Sequence, residues 1–200
     1  MSFEPGHNSP NMDDFVREYV GNLTSSLQTL DAESLGSLAA RIEDCIQKNR
    51  TIFLLGNGGS SATPSHSAAD WTKELGARCM CLTDNAHIVT AISNDIDYES
   101  IFVVQLRSFM SPGDLVIGYS GSGNSENVIR AVQFAKEGGA FTVGMTGDYK
   151  GKKGGRLAAI ADLPIVVQET SMERIEDCHL ILNHIVKEYL KVRMPKRGGQ

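Results

Sequence analysis

FLLGNGGSSATPSH, residues 53–66, decides the fold of this chain. An apolar run typical of a buried strand breaks into a glycine- and serine-rich turn and continues as a helix that carries His66. A second junction of this kind, LVIGYSGSGNS, lies at residues 115–125. At such a junction, backbone N–H groups and hydroxyls can surround an anion at the helix N-terminus. Two such cradles indicate a protein that handles a phosphorylated small molecule.

The rest of the chain repeats this alternation of strands and helices. Short apolar runs predict strands at residues 51–55, 79–82, 115–119, 141–145 and 163–167. Helices are predicted between most of them, at residues 62–75, 86–93, 125–137 and 153–161. Continuous apolar strands that alternate with helices indicate a parallel sheet covered on both faces. We therefore expect an α/β fold, a three-layer, doubly wound, five-stranded parallel sheet of the order 2-1-3-4-5.

Helices are also predicted at both ends of this pattern. Apolar residues spaced three and four apart predict an amphipathic helix at residues 12–30, and Asp31 can cap a second helix that ends near residue 48. The two form a helical hairpin before the first strand, and a long helix at 171–192 follows the last one. The length of 200 residues suits one domain, at 12–192, between flexible termini at residues 1–11 and 193–200.

Composition excludes several classes of protein. The net charge of −5 and the lack of a basic stripe argue against a nucleic-acid partner. No apolar run approaches the roughly 20 residues that a helix needs to span a bilayer, so we expect no membrane partner. The cysteines form no CxxC pair, which is typical of reduced thiols and of a cytoplasmic location: Cys45, Cys79, Cys81 and Cys178.

The glycine-rich turns differ from the common nucleotide-binding turns. GNGGSS lacks the GxGxxG spacing of dinucleotide-binding proteins, and no acidic residue ends the second strand in the ribose-binding manner. No GK[ST] tripeptide is present, so neither turn is a P-loop. SGSGNS, from Ser120 to Ser125, crowds three hydroxyls at the start of a helix, where the dipole favours an anion. The alternative is a serine-capped helix, but one cap needs only one serine.

His66 and Asp70 are four residues apart and therefore share one face of the helix that follows the first turn. On a solvated helix, such a pair is commonly a surface ion pair. The same spacing also suits two metal ligands, or a base that its partner holds in place. The spacing alone leaves these interpretations open.

The final helix offers further acids and a second histidine. Thr170 and Glu173 fit a capping box. His184 lies among apolar residues, which predicts burial at a subunit contact and a neutral imidazole usable as a base or ligand. Glu176 precedes His184 by eight residues, roughly 12 Å along a helix axis, and Asp177 is better aligned with the histidine. The helical wheel does not choose between these two acids.

Five segments, in order and spacing, resemble the sugar isomerase (SIS) family, and within it the phosphoheptose isomerase branch. They are GNGGSSATPSHSAADWTK at 56–73, LTDNAHIVTAISND at 82–95, GDLVIGYSGSGNSENVIRAV at 113–132, GMTGD at 144–148 and RIEDCHLILNHIV at 174–186. The resemblance covers about residues 12–192. It implies isomerisation of sedoheptulose 7-phosphate to a heptose 7-phosphate through a cis-enediol, by a homotetramer with active sites at subunit interfaces and a divalent metal such as zinc.

The resemblance also assigns roles to particular residues. The phosphate is expected on Ser120, Ser122 and Ser125, with Gly121 allowing close backbone approach. The sugar is expected beside Asn57, Gly58, Ser60, Asp95 and Glu176. The metal ligands implied are His66, Asp70, Glu176 and His184. Asp70 and His184 are the expected acid/base pair.

Two residues depart from the pattern of the branch, which carries glutamate at the position of Asp70 and glutamine at that of Glu176. Asp70 is one methylene shorter, so a base there must sit closer to the substrate or act through a metal or water. Glu176 adds a charge, which predicts a tighter divalent cation and an empty site with uncompensated negative charge. Two alternatives stay open, a non-catalytic phosphosugar-binding regulator and an isomerase of a different ketose phosphate.

Overall fold

A computed structural model of the protein describes residues 11–194, which form three layers around a parallel sheet. The strands are β1 (Thr51–Gly56), β2 (Arg78–Cys81), β3 (Leu115–Tyr119), β4 (Phe141–Gly147) and β5 (Leu163–Val167). Their order in the sheet is β2-β1-β3-β4-β5, and every neighbouring pair is parallel. The predicted strand order and fold class are confirmed. Because β1 and β3 are parallel neighbours, the two glycine-rich turns that follow them lie side by side at the carboxyl ends of the strands.

Eight α-helices surround the sheet within residues 11–194. They are α1 (Met12–Gln28), α2 (Ala32–Gln47), α3 (Gly59–Asp70), α4 (Ala86–Asp95), α5 (Ile101–Phe109), α6 (Glu126–Glu137), α7 (Gly155–Ile160) and α8 (Met172–Arg193). A π-helical turn, Trp71–Leu75, extends α3. Among these residues, no helix is both long and apolar enough to cross a membrane.

The three central strands, β1, β3 and β4, bury both of their faces. Ile52 and Leu54 of β1 point into one core, which also contains apolar residues of α2, α3 and α8. Phe53 and Leu55 alternate with them and point into a second core, built with α4, α5, α6 and α7. Because a core covers each face of β1, its sequence is a continuous apolar run and does not alternate between apolar and polar residues.

Three local predictions were incomplete or wrong. The sequence analysis assigns no helix to Ile101–Phe109, because this short run is rich in β-branched residues and lacks a clear helical period. Helix α3 begins at Gly59, three residues before the predicted start. The capping box at Thr170 is wrong: Ser171 is the N-cap residue of α8, and its side chain makes no capping bond.

The predicted flexible termini lie mostly outside the described residues. Residues 1–10 and 195–200 fall there. Asn11 belongs to the structured part, since its side chain caps α1, and α8 continues to Arg193. The four cysteines are free thiols, as predicted, and three of them are buried.

Helix α1 is held to α8 by polar contacts. The Tyr19 hydroxyl donates to Asp177 Oδ2 over 2.6 Å, and the Ser26 hydroxyl donates to Glu169 Oε2 over 3.0 Å. Glu169 is buried and forms an ion pair with Arg174, whose Nε lies 2.8 Å from Oε2. Burial alone would raise the pKa of Glu169, but the hydrogen bonds from Arg174 and the backbone outweigh it and lower the pKa to about 2.

This carboxylate is expected to stabilise the fold strongly. Replacing Glu169 with glutamine should lower the free energy of unfolding at pH 7 by about 3 kcal/mol, the equivalent of the pKa shift. The folded-state pKa is depressed, so this stabilisation is complete above about pH 4.5 and is lost as the pH falls towards 2. Denaturant titrations across this range measure the difference. The matched control, Glu137→Gln at an exposed position of α6, should change stability by less than about 0.5 kcal/mol. A constant difference from pH 7 to pH 2 would contradict the prediction.

Candidate functional site

The two glycine-rich turns are joined by a pair of amides. Asn57, which directly follows β1, donates from Nδ2 to Asn127 Oδ1 over 2.8 Å, and Asn127 Nδ2 donates back to Asn57 Oδ1 over 2.9 Å. The Tyr98 hydroxyl donates to the same Asn57 oxygen over 2.9 Å. Asn127 is buried in the first turn of α6. These hydrogen bonds fix the first turn against the helix that the second turn starts.

The second turn contains the serines predicted to bind phosphate. Ser120 is buried, its backbone N–H donates to the Met145 carbonyl oxygen, and its hydroxyl lies 2.9 Å from that of Ser125. Ser125 is the N-cap residue of α6 but makes no side-chain capping bond. The alternative of a simple serine cap is therefore wrong, because the Ser125 hydroxyl faces Ser120 instead of the helix N–H groups. Ser122 is half-buried, and its hydroxyl accepts from the Asn124 N–H over 3.3 Å.

Gly121 and Gly59 lie directly beside two flexible side chains of α8. A Cβ on Gly121 would collide with Met172 Sδ, in the first turn of that helix. A Cβ on Gly59 would collide with the Glu176 carboxylate, one turn further along. The expected role of Gly121, close approach to the phosphate, is therefore accompanied by a packing reason. Gly58, the N-cap residue of α3, has a φ of +54°, and the space beside its Cα is open.

Helices α3 and α8 run parallel, and their side chains pair in register. Ser60 near the start of α3 donates to Glu176 Oε1 over 3.2 Å. Two turns later, His66 meets His184, with 3.0 Å between their Nε2 atoms. Then Asp70 Oδ2 lies 2.8 Å from Lys187 Nζ, and Glu74 Oε2 lies 2.7 Å from Lys191 Nζ. From His66 to Glu74 on α3, and from His184 to Lys191 on α8, the paired residues are three or four apart, so each helix presents one face to the other.

His66, Asp70 and His184 form one cluster. One ligand atom from each lies within 4.8 Å of the others, and His66 Nε2 is 3.5 Å from Asp70 Oδ2. Asp70 and His184 are half-buried and His66 is exposed. The predicted burial of His184 is thus only partial in the single chain, and the fully buried histidine of α8 is His179.

The chemistry of this cluster fits a divalent metal. Two neutral imidazoles that point their Nε2 atoms at each other share one proton or one cation between them. Zinc ligands about 2.0–2.1 Å from the metal in a tetrahedral site stand roughly 3.3 Å from one another, close to the observed histidine separation. Two nitrogens and a carboxylate oxygen form a donor set that suits zinc and leaves a coordination position for substrate or water.

Lys187 adds a positive charge to the cluster that the sequence analysis did not predict. The hydrogen bond from its ammonium group holds the pKa of Asp70 below its usual range. Lys187 also lies 3.3 Å from Glu74 Oε1, and Lys191 pairs with the other oxygen of Glu74. The expectation that an empty site concentrates uncompensated negative charge is therefore wrong for Asp70, because a cation on the same chain already balances it.

The remaining predicted residues lie apart from this cluster. Glu176 is not a member of it, since α8 is regular and the separation of roughly 12 Å from His184 persists. Asp177, the alternative acid, is bound by Tyr19. Asp95 ends α4, is exposed, and accepts a hydrogen bond from Asn94 over 2.8 Å. The structure of one chain does not bring Asp95 together with the serines or the histidines.

The sequence analysis missed three residues of the site. Asn127 and Tyr98 support Asn57, and Lys187 binds Asp70. A usable signal existed for Lys187, because it follows His184 by three residues and so shares its helix face. A buried link beside the cluster was also missed: Asn183 Nδ2 donates to Ser67 Oγ over 2.6 Å and to the Tyr119 hydroxyl over 2.8 Å.

The three-layer fold with its paired glycine-rich turns defines the class of the protein. The chain belongs to the SIS domain family, whose model matches residues 16–147. It is 34% identical over 195 residues to a phosphoheptose isomerase of Roseiflexus sp. (strain RS-1), covering 92% of this chain and 96% of that relative. It is also 34% identical over 174 residues to a phosphoheptose isomerase of Aquifex aeolicus (strain VF5), covering 84% and 89% of the two chains.

Solved structures agree with this assignment. The structure of phosphoheptose isomerase GmhA from Neisseria gonorrhoeae superposes with a TM-score of 0.83 at 28% sequence identity. The superposition covers 91% of this chain and 100% of that chain. The resemblance inferred from the five sequence motifs, to the SIS family and its phosphoheptose isomerase branch, is confirmed.

Proposed function

We propose that the chain is an aldose–ketose isomerase that converts sedoheptulose 7-phosphate to a heptose 7-phosphate through a cis-enediol. The observation that carries this proposal is the convergence of His66 and Asp70, on the helix that leaves the first glycine-rich turn, with His184 of α8. A protein that only senses a phosphosugar needs the serine turn but has no use for an acid/base cluster. The similarity to phosphoheptose isomerases over more than nine tenths of the chain supports the substrate class.

The serine turn anchors the phosphate in this proposal. Ser120, Ser122 and Ser125 supply hydroxyls at the N-terminus of α6, where the helix dipole favours an anion. The histidine cluster lies on α3, about 9 Å of helix beyond Ser60, whereas the serine turn belongs to the neighbouring strand–helix junction. The reaction requires an open-chain sugar, since the enediol forms from the open chain. The phosphate then supplies binding energy that positions the reacting carbons.

Asp70 and His184 move the protons. The carboxylate of Asp70 stays charged because Lys187 binds it, and a charged carboxylate can accept the proton on the carbon that becomes part of the enediol. His184 then exchanges a proton with the neighbouring oxygen, and His66 orients it through the contact between their Nε2 atoms. The reaction neither gains nor loses atoms, because the proton returns to the adjacent carbon.

His66, Asp70 and His184 would hold a divalent ion, for which we propose zinc. Bound there, such an ion polarises the carbonyl and hydroxyl oxygens of the substrate. Glu176 lies too far along α8 to join these ligands in the single chain, so we propose it as a substrate contact beside Ser60, to which its carboxylate is bound. Asp95 belongs to the sugar site in this proposal if a second subunit supplies it.

We further propose a homotetramer with a cytoplasmic location. Exposed apolar side chains on α1 and α8 support assembly through these helices: Phe15, Val16, Val20, Ile185, Tyr189 and Val192. Cover by another subunit would bury them, together with the exposed side of His184. The free thiols, three of them buried, fit a reducing compartment. Sedimentation at micromolar concentration measures the assembly, and a monomer would contradict it.

Phosphate binding is expected to depend on Ser122. The Ser122→Ala change removes one hydrogen bond to a charged group, which should weaken binding of a sugar phosphate by about 1.5–3 kcal/mol. Calorimetry measures the affinity. The matched control is Ser108→Ala on α5, where the exposed hydroxyl contacts only the Val104 carbonyl, and the affinity should not change. Equal affinities in the wild type and Ser122→Ala would remove this turn from the site.

The function itself is tested by turnover of sedoheptulose 7-phosphate, measured on the purified protein before and after treatment with a chelator. Conversion to an aldose phosphate supports the proposal, and loss of activity on chelation supports its metal part. Turnover of another ketose phosphate alone would identify an isomerase of different specificity. Binding of sugar phosphates without any turnover would identify a regulator instead.

A further inference from the structure

We propose that Lys187 is a positioning residue and a resident cation of the acid–histidine cluster, one that fixes the Asp70 carboxylate and weakens the affinity of the cluster for divalent metal. The inference deepens the proposed function and rests on it for the role of Asp70. The effect on metal affinity does not depend on the proposed function, because it follows from the distances between Lys187, Asp70 and His66.

The surroundings of Lys187 show how firmly it is held. The residue is only 8% exposed, although lysine is among the residues least often buried. Its Nζ lies 2.8 Å from Asp70 Oδ2, 3.3 Å from Glu74 Oε1 and 3.5 Å from the exposed Glu188. Burial of a lysine is tolerated when it is paired and hydrogen-bonded, as it is here on three sides. The hydrogen bonds to Asp70 and Glu74 hold the ammonium group beside the cluster.

The ammonium group and a metal compete for the same carboxylate. Asp70 Oδ2 accepts from Lys187, and the same oxygen is the atom that lies 3.5 Å from His66 Nε2. A divalent ion bound by the two histidines and Asp70 would therefore stand within a few ångströms of Nζ. A like charge within ~4–6 Å typically shifts an ionisation by about 1–3 pKa units, and a bound cation experiences a comparable penalty of tenfold or more.

The same contact has a positioning role. Asp70 is shorter than the glutamate that the branch carries at this position, so its reach depends on how its carboxylate is oriented. The contacts of Oδ2 with Lys187 Nζ and with His66 Nε2 fix that orientation. Lys187 therefore acts through Asp70, by holding its carboxylate.

The test combines two charge-removing variants with two controls. Lys187→Gln keeps a hydrogen-bond donor for Asp70 without the charge, and Lys187→Met serves as an independent apolar replacement of similar length. Lys187→Arg keeps the charge. Lys191→Gln removes the next lysine on the same helix face, which pairs with Glu74 but not with Asp70. Calorimetry with Zn²⁺ alone on each full-length protein gives the metal affinity, and thermal unfolding shows that each variant is folded.

We expect Zn²⁺ to bind at least tenfold more tightly to Lys187→Gln and Lys187→Met than to the wild type, and within threefold of the wild type in the two controls. With sedoheptulose 7-phosphate, kcat should fall at least tenfold in Lys187→Gln while KM changes less than threefold, and Lys187→Arg should recover most of kcat. Unchanged or weaker Zn²⁺ binding in the folded Lys187→Gln protein overturns the inference. A tightened metal site in a protein that never turns over this substrate supports the inference and refutes the proposed function.

Discussion

Replacing His184 with alanine is expected to lower kcat for sedoheptulose 7-phosphate by about 10²–10⁴-fold, the usual effect of removing a general acid or base. Among the described histidine, cysteine and carboxylate side chains of α8, only His184 has a ligand atom within 4.8 Å of both His66 and Asp70. Its loss removes the shorter of the two contacts of His66 Nε2 and one of two nitrogen donors, while Asp70 Oδ2 stays 3.5 Å from that Nε2 atom. Steady-state kinetics with metal analysis of the same sample measures both consequences.

Phosphate binding should survive this change, because the serine turn belongs to another strand–helix junction. Calorimetry with a sugar phosphate is therefore expected to give an affinity within about threefold of the wild type. His87→Ala is the matched control, since this histidine is exposed on α4 and lies outside the cluster. Full activity in the His184→Ala protein would refute the acid/base assignment. A wild type that is active without metal would refute only the metal part.

Much of the fold follows from features that are local in the sequence. Each strand of the sheet is a short apolar run, and each glycine-rich turn marks the carboxyl end of one strand. The strand order is one that doubly wound sheets commonly adopt, so it comes from a rule of fold families and not from any single run. Helix α5 was missed because it begins with a short apolar run, IFVV, from which periodicity cannot distinguish helix and strand.

The site was only partly predictable, because some of its contacts depend on how α3 and α8 are aligned. The pair of His66 and Asp70 follows from spacing within one helix. The pairing of Asp70 with Lys187 requires the parallel register of two helices that are more than 100 residues apart, as the sequence separation of 117 shows. The same register sets Glu176 beside Ser60, although the resemblance implied a place with His184. Family resemblance named the ligands, but only packing shows what each one touches.

Replacing Asp70 with asparagine is expected to lower kcat by about 10²–10⁴-fold with little change in the fold. Asparagine keeps the shape of the side chain and can still accept a hydrogen bond from Lys187, but it cannot accept a proton from carbon at neutral pH. The affinity for Zn²⁺ should fall as well, because the cluster loses its anionic ligand while the ammonium group of Lys187 stays 2.8 Å from the replaced oxygen. Kinetics and calorimetry on the same preparation measure the two effects.

Glu74→Gln is the control that separates chemistry from packing. Glu74 also binds Lys187, over 3.3 Å, and it lies one helical turn after Asp70, so this variant removes a charge from the same ladder without touching the histidines. If Asp70 acts only by holding Lys187 and the two helices together, both variants should lose activity and stability to a similar extent. If Asp70 is the base, Glu74→Gln should keep kcat within about threefold of the wild type, and only Asp70→Asn should lose turnover while it still binds sugar phosphate. Equal losses in the two variants would therefore assign Asp70 to the scaffold and leave His184 as the base.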